Sequence, residues 1–375
     1  MFMIGALIIA IAASAISVKT LVGYTEMRSV YKILISLLIV SAWFAPVIVS
    51  VIRATAWGNT RFFAYVSDVG YFLFGIVFLL LILLLLRDFL WFFAYETAKL
   101  IKAPYATALN PSDVRMLNLA NLYTVALTFL LGFYALYEGI KLPAVKEVTL
   151  ASPALKREYT LVQLSDLHIN RTIPPERIEK LVEKVNTLEP DVILLTGDIG
   201  DDKVEAVGPQ MAALEELQSK YGIFAVFGNH EFYNGLMPWQ FKFGKMGWSA
   251  LFNYGLPVKD TELYVGGVPD VSIARGSPFF KIDVDRTLEN SSDGQYKILL
   301  SHTPRFQKEM ITKAQYDLQL SGHTHGGQIF PFHLLVKQAN KYLAGLYDVN
   351  DTKLYLSRGA RRCACLLRRK LPLSG

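Results

Sequence analysis

The chain has 375 residues, of which 52% are hydrophobic, with a mean hydropathy of +0.31 and a formal net charge of +6. This length allows two domains, and the hydropathy excludes an ordinary soluble protein. Residues 138–357 carry 23 basic and 27 acidic side chains, whereas six basic residues lie between Arg358 and the end. An acidic body is typical of a cation-binding domain and not of a nucleic-acid-binding surface, so we expect no nucleic-acid partner.

Four apolar stretches occupy the first third of the chain, and each approaches the ~20 residues needed to cross a bilayer. They cover residues 3–18, 33–52, 69–86 and 116–137. The first has no basic segment before it, which favours a membrane helix over a signal peptide. The fourth is the least apolar because it contains Asn118 and Asn121. We therefore predict a transmembrane domain of about four helices over residues 1–141.

The basic residues beside these spans favour one orientation only slightly. Seven lie on one side and six on the other, and four of the six follow the last span. If those four belong to the next domain, the count places that domain outside the cytoplasm. Asp68, at the start of the third span, is either an interfacial carboxylate or part of an ion path.

Residues 142–158 form a predicted linker with two prolines, and beyond it strands alternate with helices. Short apolar runs predict strands at 159–164, 191–196, 223–227, 263–266, 297–300, 317–320 and 353–356. Periodic apolar positions predict helices that begin at Pro175 and that cover 204–217. This alternation predicts an α/β domain over residues 159–375, with its polar residues collected where strands end.

Five of the six histidines lie directly after predicted strands, in segments that also carry Asp or Asn. These segments are Asp166-Leu167-His168, Gly197-Asp198-Ile199-Gly200-Asp201, Gly228-Asn229-His230-Glu231, Ser301-His302 and Gly322-His323-Thr324-His325. They supply carboxylates, imidazoles and one amide, a mixture that suits Mn²⁺, Fe²⁺ or Zn²⁺ and contains too much nitrogen for Mg²⁺ or Ca²⁺ alone. The number of candidate ligands exceeds what one tetrahedral ion needs, which predicts two divalent ions.

In this order the five segments resemble the motifs of the calcineurin-like metallophosphoesterase family. The sequence Gly-His-Thr-His-Gly-Gly-Gln at 322–328 resembles its bacterial membrane-associated branch. The resemblance implies a metallophosphoesterase-type α/β sandwich behind the transmembrane domain, in an integral protein of a bacterial plasma membrane. It further implies hydrolysis of phosphomonoesters or phosphodiesters, lipid- or envelope-linked ones among them, through metal-bound hydroxide. The expected partners are thus a phosphoester substrate and the lipid bilayer.

The resemblance also implies a role for each site residue. One ion is expected to bind Asp166, His168 and His325, and the other Asn229, His302 and His323. Asp198 is expected to bridge the two ions, and His230 to protonate the leaving group or stabilise the phosphoryl charge. Asp201 and Glu231 are expected to orient these ligands from behind.

Two features depart from the resembled pattern. UDP-diacylglucosamine hydrolases, which share the overall plan, carry Arg at the position of His230. After Gly359 the chain continues with an arginine- and cysteine-rich segment, which is either a reading-frame error or a basic tail that touches anionic lipid. The alternative function is that of a transporter or sensor in which the metal-binding domain is regulatory. Such a protein should carry paired charges inside its spans, and only Asp68 suggests this.

Overall fold

The computed structural model of the chain describes residues 2–53, 55–271, 280–304, 316–327, 331–359 and 363–368, with backbone alone for residues 2, 3 and 363–368. The chain forms two compact units, Met1–Glu138 and Gly139–Gly375.

The first unit consists of four long helices. These are α1 (Phe2–Val18), which continues into a π-helical turn (Lys19–Gly23), α2 (Ser29–Arg53), α3 (Arg61–Leu100) and α4 (Val114–Ile140). All four are long and apolar enough to cross a membrane, and only 22–28% of the residues in each span are buried within the protein. Apolar side chains that face outward suit a lipid environment. The predicted four apolar helices are therefore confirmed.

Hydrogen bonds between helices explain the polar residues within these spans. The Asn121 side chain donates from Nδ2 to the Leu21 carbonyl at 3.2 Å and accepts from Arg87 Nη1 at 2.5 Å. The Trp43 indole donates to Ser17 Oγ at 3.3 Å. Polar groups inside a bilayer need such partners, so Asn121 lowers the hydropathy of α4 but links three segments of the unit.

The second unit contains two six-stranded sheets. The strands of the first sheet are β1 (Ala144–Val148), β2 (Thr160–Leu164), β3 (Val192–Thr196), β4 (Ile223–Val226), β5 (Ser249–Ala250) and β12 (Cys363–Arg368). The strands of the second sheet are β6 (Tyr254–Pro257), β7 (Leu263–Gly267), β8 (Tyr296–Leu300), β9 (Leu318–Ser321), β10 (Gly345–Val349) and β11 (Thr352–Leu356).

Parallel strands form the centre of both sheets. The first sheet has the order β1-β12-β2-β3-β4-β5, in which β2 to β5 are parallel and β12 runs antiparallel to β2. The second has the order β10-β11-β9-β8-β7-β6, in which only the edge strands β10 and β6 are antiparallel to their neighbours. The carboxyl ends of the central strands therefore lie at the same edge of each sheet, where a site in such sheets is expected.

Alternating apolar side chains bury both faces of the first sheet. Leu161, Val192 and Leu194 face the second sheet, where they pack with residues such as Val265 and Ile298. The residues that alternate with them along each strand, such as Val162 and Ile193, form a separate core with helices on the outer face of the sheet. Those helices are α5 (Pro175–Asn186), α6 (Gly208–Leu214) and α8 (Leu236–Lys245), while α7 (Asn229–Tyr233) and α9 (Phe332–Asn340) follow the strand ends β4 and β9. The predicted α/β sandwich is confirmed.

The structure contains elements that the sequence analysis does not predict, namely the strands β5, β6 and β10 and the helices α7, α8 and α9, and three further features differ from the expected pattern. The helix predicted over 204–217 is divided into a 3-10 turn (Val204–Val207) and α6, because Pro209 begins a new helix. The predicted linker contains β1, and the arginine- and cysteine-rich segment contains β12, which pairs with β1 and β2.

Candidate metal centre

The five predicted segments meet at the carboxyl ends of their strands. Asp166 and His168 follow β2, Asp198 follows β3, and Asn229 begins α7 directly after β4. His302 follows β8, and His323 and His325 follow β9. The structure therefore brings all seven predicted ligands together.

One group of donor atoms comes from Asp166, His168 and His325. The Nε2 atoms of the two histidines are 3.1 Å apart, and Asp166 Oδ1 lies 3.5 Å from His325 Nε2 and 3.9 Å from His168 Nε2. Ligand atoms that bind one ion at ~2.0–2.2 Å have separations of this order. Two imidazole nitrogens that face each other beside a carboxylate suit a cation between them.

A second group comes from Asp198, Asn229, His302 and His323. His302 Nε2 lies 3.1 Å from Asp198 Oδ2 and 3.3 Å from His323 Nδ1. Asn229 Oδ1 lies 3.1 Å from the same His323 nitrogen. The donor set of this group is again oxygen and imidazole nitrogen, as the sequence predicts.

Asp198 lies between the two groups. Its Oδ2 is 3.1 Å from His302 Nε2 in one group and 3.9 Å from His168 Nε2 in the other. Its Oδ1 accepts a hydrogen bond from the backbone N–H of His230 at 2.9 Å, which fixes the orientation of the carboxylate. Burial alone would raise the pKa of Asp198, but the neighbouring histidines, His302 foremost, lower it. Asp198 is therefore a carboxylate at neutral pH.

Hydrogen bonds on the far side of the rings select the nitrogen that faces the site. His302 is fully buried, and its Nδ1 lies 2.8 Å from the Thr196 carbonyl oxygen. A carbonyl only accepts, so Nδ1 carries a proton and Nε2 is the nitrogen that faces the site. Burial opposes the charged form of His302, but the neighbouring Asp198 raises the pKa of this ring. Burial lowers the pKa of His325 to about 4, so that ring is neutral and able to bind a cation.

Asp201 orients two histidines at once. Its Oδ1 is 2.6 Å from Nδ1 of His168 and 2.6 Å from Nδ1 of His230. Although burial acts in the opposite direction, these two hydrogen bonds lower the pKa of Asp201. Burial also opposes the charged form of His230, but the hydrogen bond that its Nδ1–H donates to Asp201 raises the pKa of that ring. His230 therefore retains a proton more readily than a free imidazole does.

Glu231 holds the backbone beneath the site. Its buried carboxylate accepts from the N–H groups of Asp198 at 3.0 Å, Gly200 at 2.9 Å and Gly228 at 2.7 Å. Burial and the charge of Asp198 raise its pKa to about 7. Glu231 therefore ties the loop after β3 to the start of α7 through hydrogen bonds to backbone N–H groups.

The ligand loops have an unusual backbone conformation. A positive φ, which side chains other than glycine seldom adopt, occurs at five site residues and costs ~1–3 kcal/mol each. These residues are Asp166, His168, Asp198, His323 and His325, with φ between 48° and 70°. Glycines allow the loops to approach one another: a Cβ on Gly228 would lie 2.1 Å from Asp198 Oδ1, and one on Gly322 would lie 2.0 Å from Ser165 Oγ. Strain of this kind at so many neighbouring positions is typical of a functional site.

Several residues of the site were not predicted to act in it. Ser165 Oγ donates to Asp166 Oδ2 at 2.5 Å, and the Thr196 carbonyl orients His302. Asp270 is fully buried, accepts from Thr303 Oγ1 at 2.5 Å, and contributes negative charge that acts on His302. The sequence marks Asp270 only as the last residue of the turn Gly266-Gly267-Val268-Pro269-Asp270, and Ser165 only by its position directly after β2. Gln328, the last residue of the glycine- and histidine-rich motif, lies outside the described residues.

Comparison with known proteins shows which family the sequence of this chain resembles. The profile of the family described as calcineurin-like phosphoesterase matches residues 159–327. An uncharacterized metallophosphoesterase of Campylobacter jejuni is 32% identical over 272 residues, which is 71% of each chain. One from Helicobacter pylori is 36% identical over 239 residues, or 62% of each chain, so the match spans less than two thirds of that relative. A Bos taurus protein named "Transmembrane protein with metallophosphoesterase domain" is 31% identical over 65% of this chain and 59% of its own.

Proposed function

Because the chain belongs to the calcineurin-like phosphoesterase family, we propose that it is a membrane-anchored phosphoesterase that uses two divalent ions. Its substrates are phosphomonoesters or phosphodiesters. The observation that most supports this function is the place of Asp198, whose Oδ2 lies within 3.9 Å of donor nitrogens in both groups. A carboxylate shared in this way is what a two-ion site requires and what a one-ion site does not.

We assign each proposed ligand to one of the two ions according to the group of donor atoms to which it belongs. Asp166, His168 and His325 would hold one ion, and Asn229, His302 and His323 the other, with Asp198 on both. Oxygen and imidazole donors suit Mn²⁺, Fe²⁺ or Zn²⁺. Two such ions supply a nucleophile by lowering the pKa of water and offset negative charge on the phosphoryl oxygens. Asp201 fixes the ring of His168, and Glu231 fixes the backbone that carries Asp198.

His230 is the proposed proton donor to the leaving group. Its Nδ1 is held by Asp201, so Nε2 is directed to the site, 3.9 Å from Asp198 Oδ2. The side chain is 35% exposed and therefore lies at the opening, where a leaving group would depart. Asp201 raises the pKa of His230 despite its burial, which favours the protonated ring that a general acid needs.

We also propose that the substrate is a lipid- or envelope-linked phosphoester, hydrolysed on the outer side of a bacterial plasma membrane. The four apolar helices support membrane attachment, as does the name of the Bos taurus relative. Attachment raises the local concentration of a membrane substrate at the site.

The test uses the purified full-length chain in detergent. The chain is stripped of metal, reloaded with Mn²⁺, Zn²⁺ or Fe²⁺, and assayed on a panel of chromogenic phosphomonoesters and phosphodiesters. We expect two ions per chain and hydrolysis that disappears on chelation. A chain that loads two ions but hydrolyses nothing on the panel would contradict the enzyme and support the regulatory alternative.

A further inference from the structure

The second unit exposes large apolar side chains on the helices α7, α8 and α9. Tyr233, Met237 and Phe241 are 70%, 69% and 66% exposed, the highest values for large hydrophobic residues in the described part of this unit. Leu334 and Leu335 in α9 are 61% and 58% exposed. Concentrations of exposed apolar side chains commonly mark interaction surfaces.

Two of the three residues of highest exposure share one side of α8. Met237 and Phe241 are one helical turn apart on this helix, whose opposite side buries Trp239 and Phe243 in the core. Tyr233 ends α7, and its ring centre is 5.8 Å from that of His230. The exposed side of α8 is thus additional to the side that stabilises the fold, and Tyr233, four residues before Met237, lies beside the site.

The helix α9 adjoins the site from the other sheet. It begins at Phe332, five residues after Gly327 in the loop that carries His323 and His325. Contact is close there, because a Cβ on Gly327 would lie 2.4 Å from His333 Cβ. Leu334 and Leu335 of this helix are therefore held near the metal centre, as Tyr233 is.

Lysines accompany both apolar surfaces. Lys245 Nζ lies 4.6 Å from the ring centre of Phe241. The exposed Lys337 lies in α9, and the exposed Lys341 directly follows this helix. Large apolar side chains flanked by lysine are the composition of segments that lie in the interface of an anionic bilayer. The same chain carries four apolar helices of membrane-spanning length, so a lipid surface is a constant neighbour.

We propose that Tyr233, Met237, Phe241, Leu334 and Leu335 form a lipid-docking surface that enters the headgroup region of an anionic bilayer. The metal centre is then level with the headgroups, and its substrate is a phosphoester whose apolar part stays in the bilayer. The statement about substrate rests on the proposed function, whereas the docking itself does not.

The docking is tested without any assay of activity. A fluorescent NBD label is placed at Met237→Cys in the full-length chain, in which Cys363→Ser and Cys365→Ser remove the native thiols. The chain is reconstituted into vesicles of phosphatidylcholine and phosphatidylglycerol, with or without brominated acyl chains. We expect the label to lose fluorescence in the brominated vesicles. A label at Ser292→Cys, exposed on the turn before β8 at the opposite edge of the sheet, should show no loss.

Two results would overturn the docking surface. One is equal fluorescence at position 237 in brominated and ordinary vesicles with a spectrum typical of water. The other is equal fluorescence with a blue-shifted spectrum, which would mean that protein, such as a second copy of the chain, covers the surface.

The substrate statement is tested with a charge-introducing variant and a matched apolar one. Met237→Glu with Phe241→Glu should lower the ratio of the rate on a bilayer phosphoester to that on a water-soluble ester by about tenfold, the factor expected for losing the burial of one large apolar side chain. Met237→Leu with Phe241→Leu should keep the ratio. An unchanged ratio in the Glu variant would overturn the statement. If the unaltered chain hydrolyses neither ester, the proposed function fails, and the quenching result still decides the docking.

Discussion

At the scale of single residues, the most demanding position is that of Asp198. Its two oxygens have separate tasks: Oδ1 accepts from the backbone of His230, and Oδ2 faces donor nitrogens of both groups. The residue also has a φ of 53°. The surrounding hydrogen bonds therefore hold a strained backbone in which one carboxylate faces both groups of donors, as the proposed bridging role requires.

We expect Asp198→Asn to abolish hydrolysis and to reduce the metal content below two ions per chain. An amide lacks the charge that favours bridging and presents an N–H₂ donor where a second acceptor is needed. Metal analysis and a chromogenic assay measure both effects. Asp293→Asn, an exposed carboxyl at the opposite edge of the sheet, is the control and should change neither. Two ions per chain with near-normal turnover in Asp198→Asn would refute the bridging role.

His230→Ala should lower turnover by ~10²–10⁴-fold, the range for losing a general acid, while both ions stay bound. Because Asp201 raises the pKa of His230, the rate on an ester with a poor leaving group should fall as pH rises through that pKa. The alanine variant should lack this decline. Esters with a very good leaving group need less protonation and should lose less. Equal losses for good and poor leaving groups would leave charge stabilisation as the role of His230.

The sequence allows the donors and two of the residues that orient them, Asp201 and Glu231, to be predicted, but not the backbone groups that take part. Each donor is a polar residue directly after an apolar run, and the order of such positions is visible in the sequence. The Thr196 carbonyl and the N–H groups bound by Glu231 are backbone atoms, which any residue type could supply. Their roles depend on loop conformation, and the positive φ values of these loops have no signature in residue type.

At the scale of elements, burial decides which strands the sequence can predict. β3 has the sequence Val-Ile-Leu-Leu-Thr and is buried along its whole length, so the apolar run is unmistakable. β1, with the sequence Ala-Val-Lys-Glu-Val, is mostly exposed at a sheet edge, and β5 has only two residues. Edge strands are stabilised by hydrogen bonds to a neighbouring strand. The local pattern of apolar residues does not reveal that pairing.

The loops between elements tolerate little change in volume. A Cβ on Gly228 would lie 2.1 Å from Asp198 Oδ1 and 2.6 Å from Asp198 N. Gly228→Ala must therefore move the backbone that carries a ligand, and such overpacking costs ~1–3 kcal/mol. We expect a lower free energy of unfolding and weaker metal binding, measured by denaturant titration and by competition with a chelator.

Gly244→Ala is the matched control for this prediction. No atom lies within 4 Å of a Cβ at Gly244, which lies inside α8, and alanine favours helix over glycine by ~1 kcal/mol. Its unfolding free energy should be equal or higher and its metal affinity unchanged. If Gly228→Ala behaved in the same way, the close packing between these two loops would not matter to the site.

At the scale of the whole molecule, α3 is longer than a helix needs to be if it only anchors the chain in a bilayer. Its 40 residues correspond to a length of ~60 Å, about twice the hydrocarbon thickness of a bilayer. The sequence predicts a span at 69–86, directly before the charges at Arg87 and Asp88 that interrupt the apolar run. Charged residues end a hydrophobic stretch without ending a helix. Hydropathy therefore predicts the bounds of the apolar span but not the bounds of the helix.

The division at residue 139 predicts that the second unit folds and works without the first. All donors of both metal groups lie after residue 165, and the unit has its own core between and outside its sheets. A truncated chain that begins at Leu142 retains β1 and should fold, bind two ions and hydrolyse a water-soluble ester. One that begins at Ala151 lacks β1, which pairs with β12, and should have a lower free energy of unfolding.

We then expect the four apolar helices to affect the rate on a lipid substrate and not the hydrolysis reaction itself. Membrane attachment raises the local concentration of a lipid phosphoester, whereas a water-soluble ester reaches either form by diffusion. The full-length chain in liposomes and the chain from Leu142 should therefore have similar rates on the soluble ester. On the lipid phosphoester the full-length chain should be clearly faster. If the truncated chain folds and binds two ions but hydrolyses neither ester, the helices form part of the site, and the separation of anchor and catalyst is wrong.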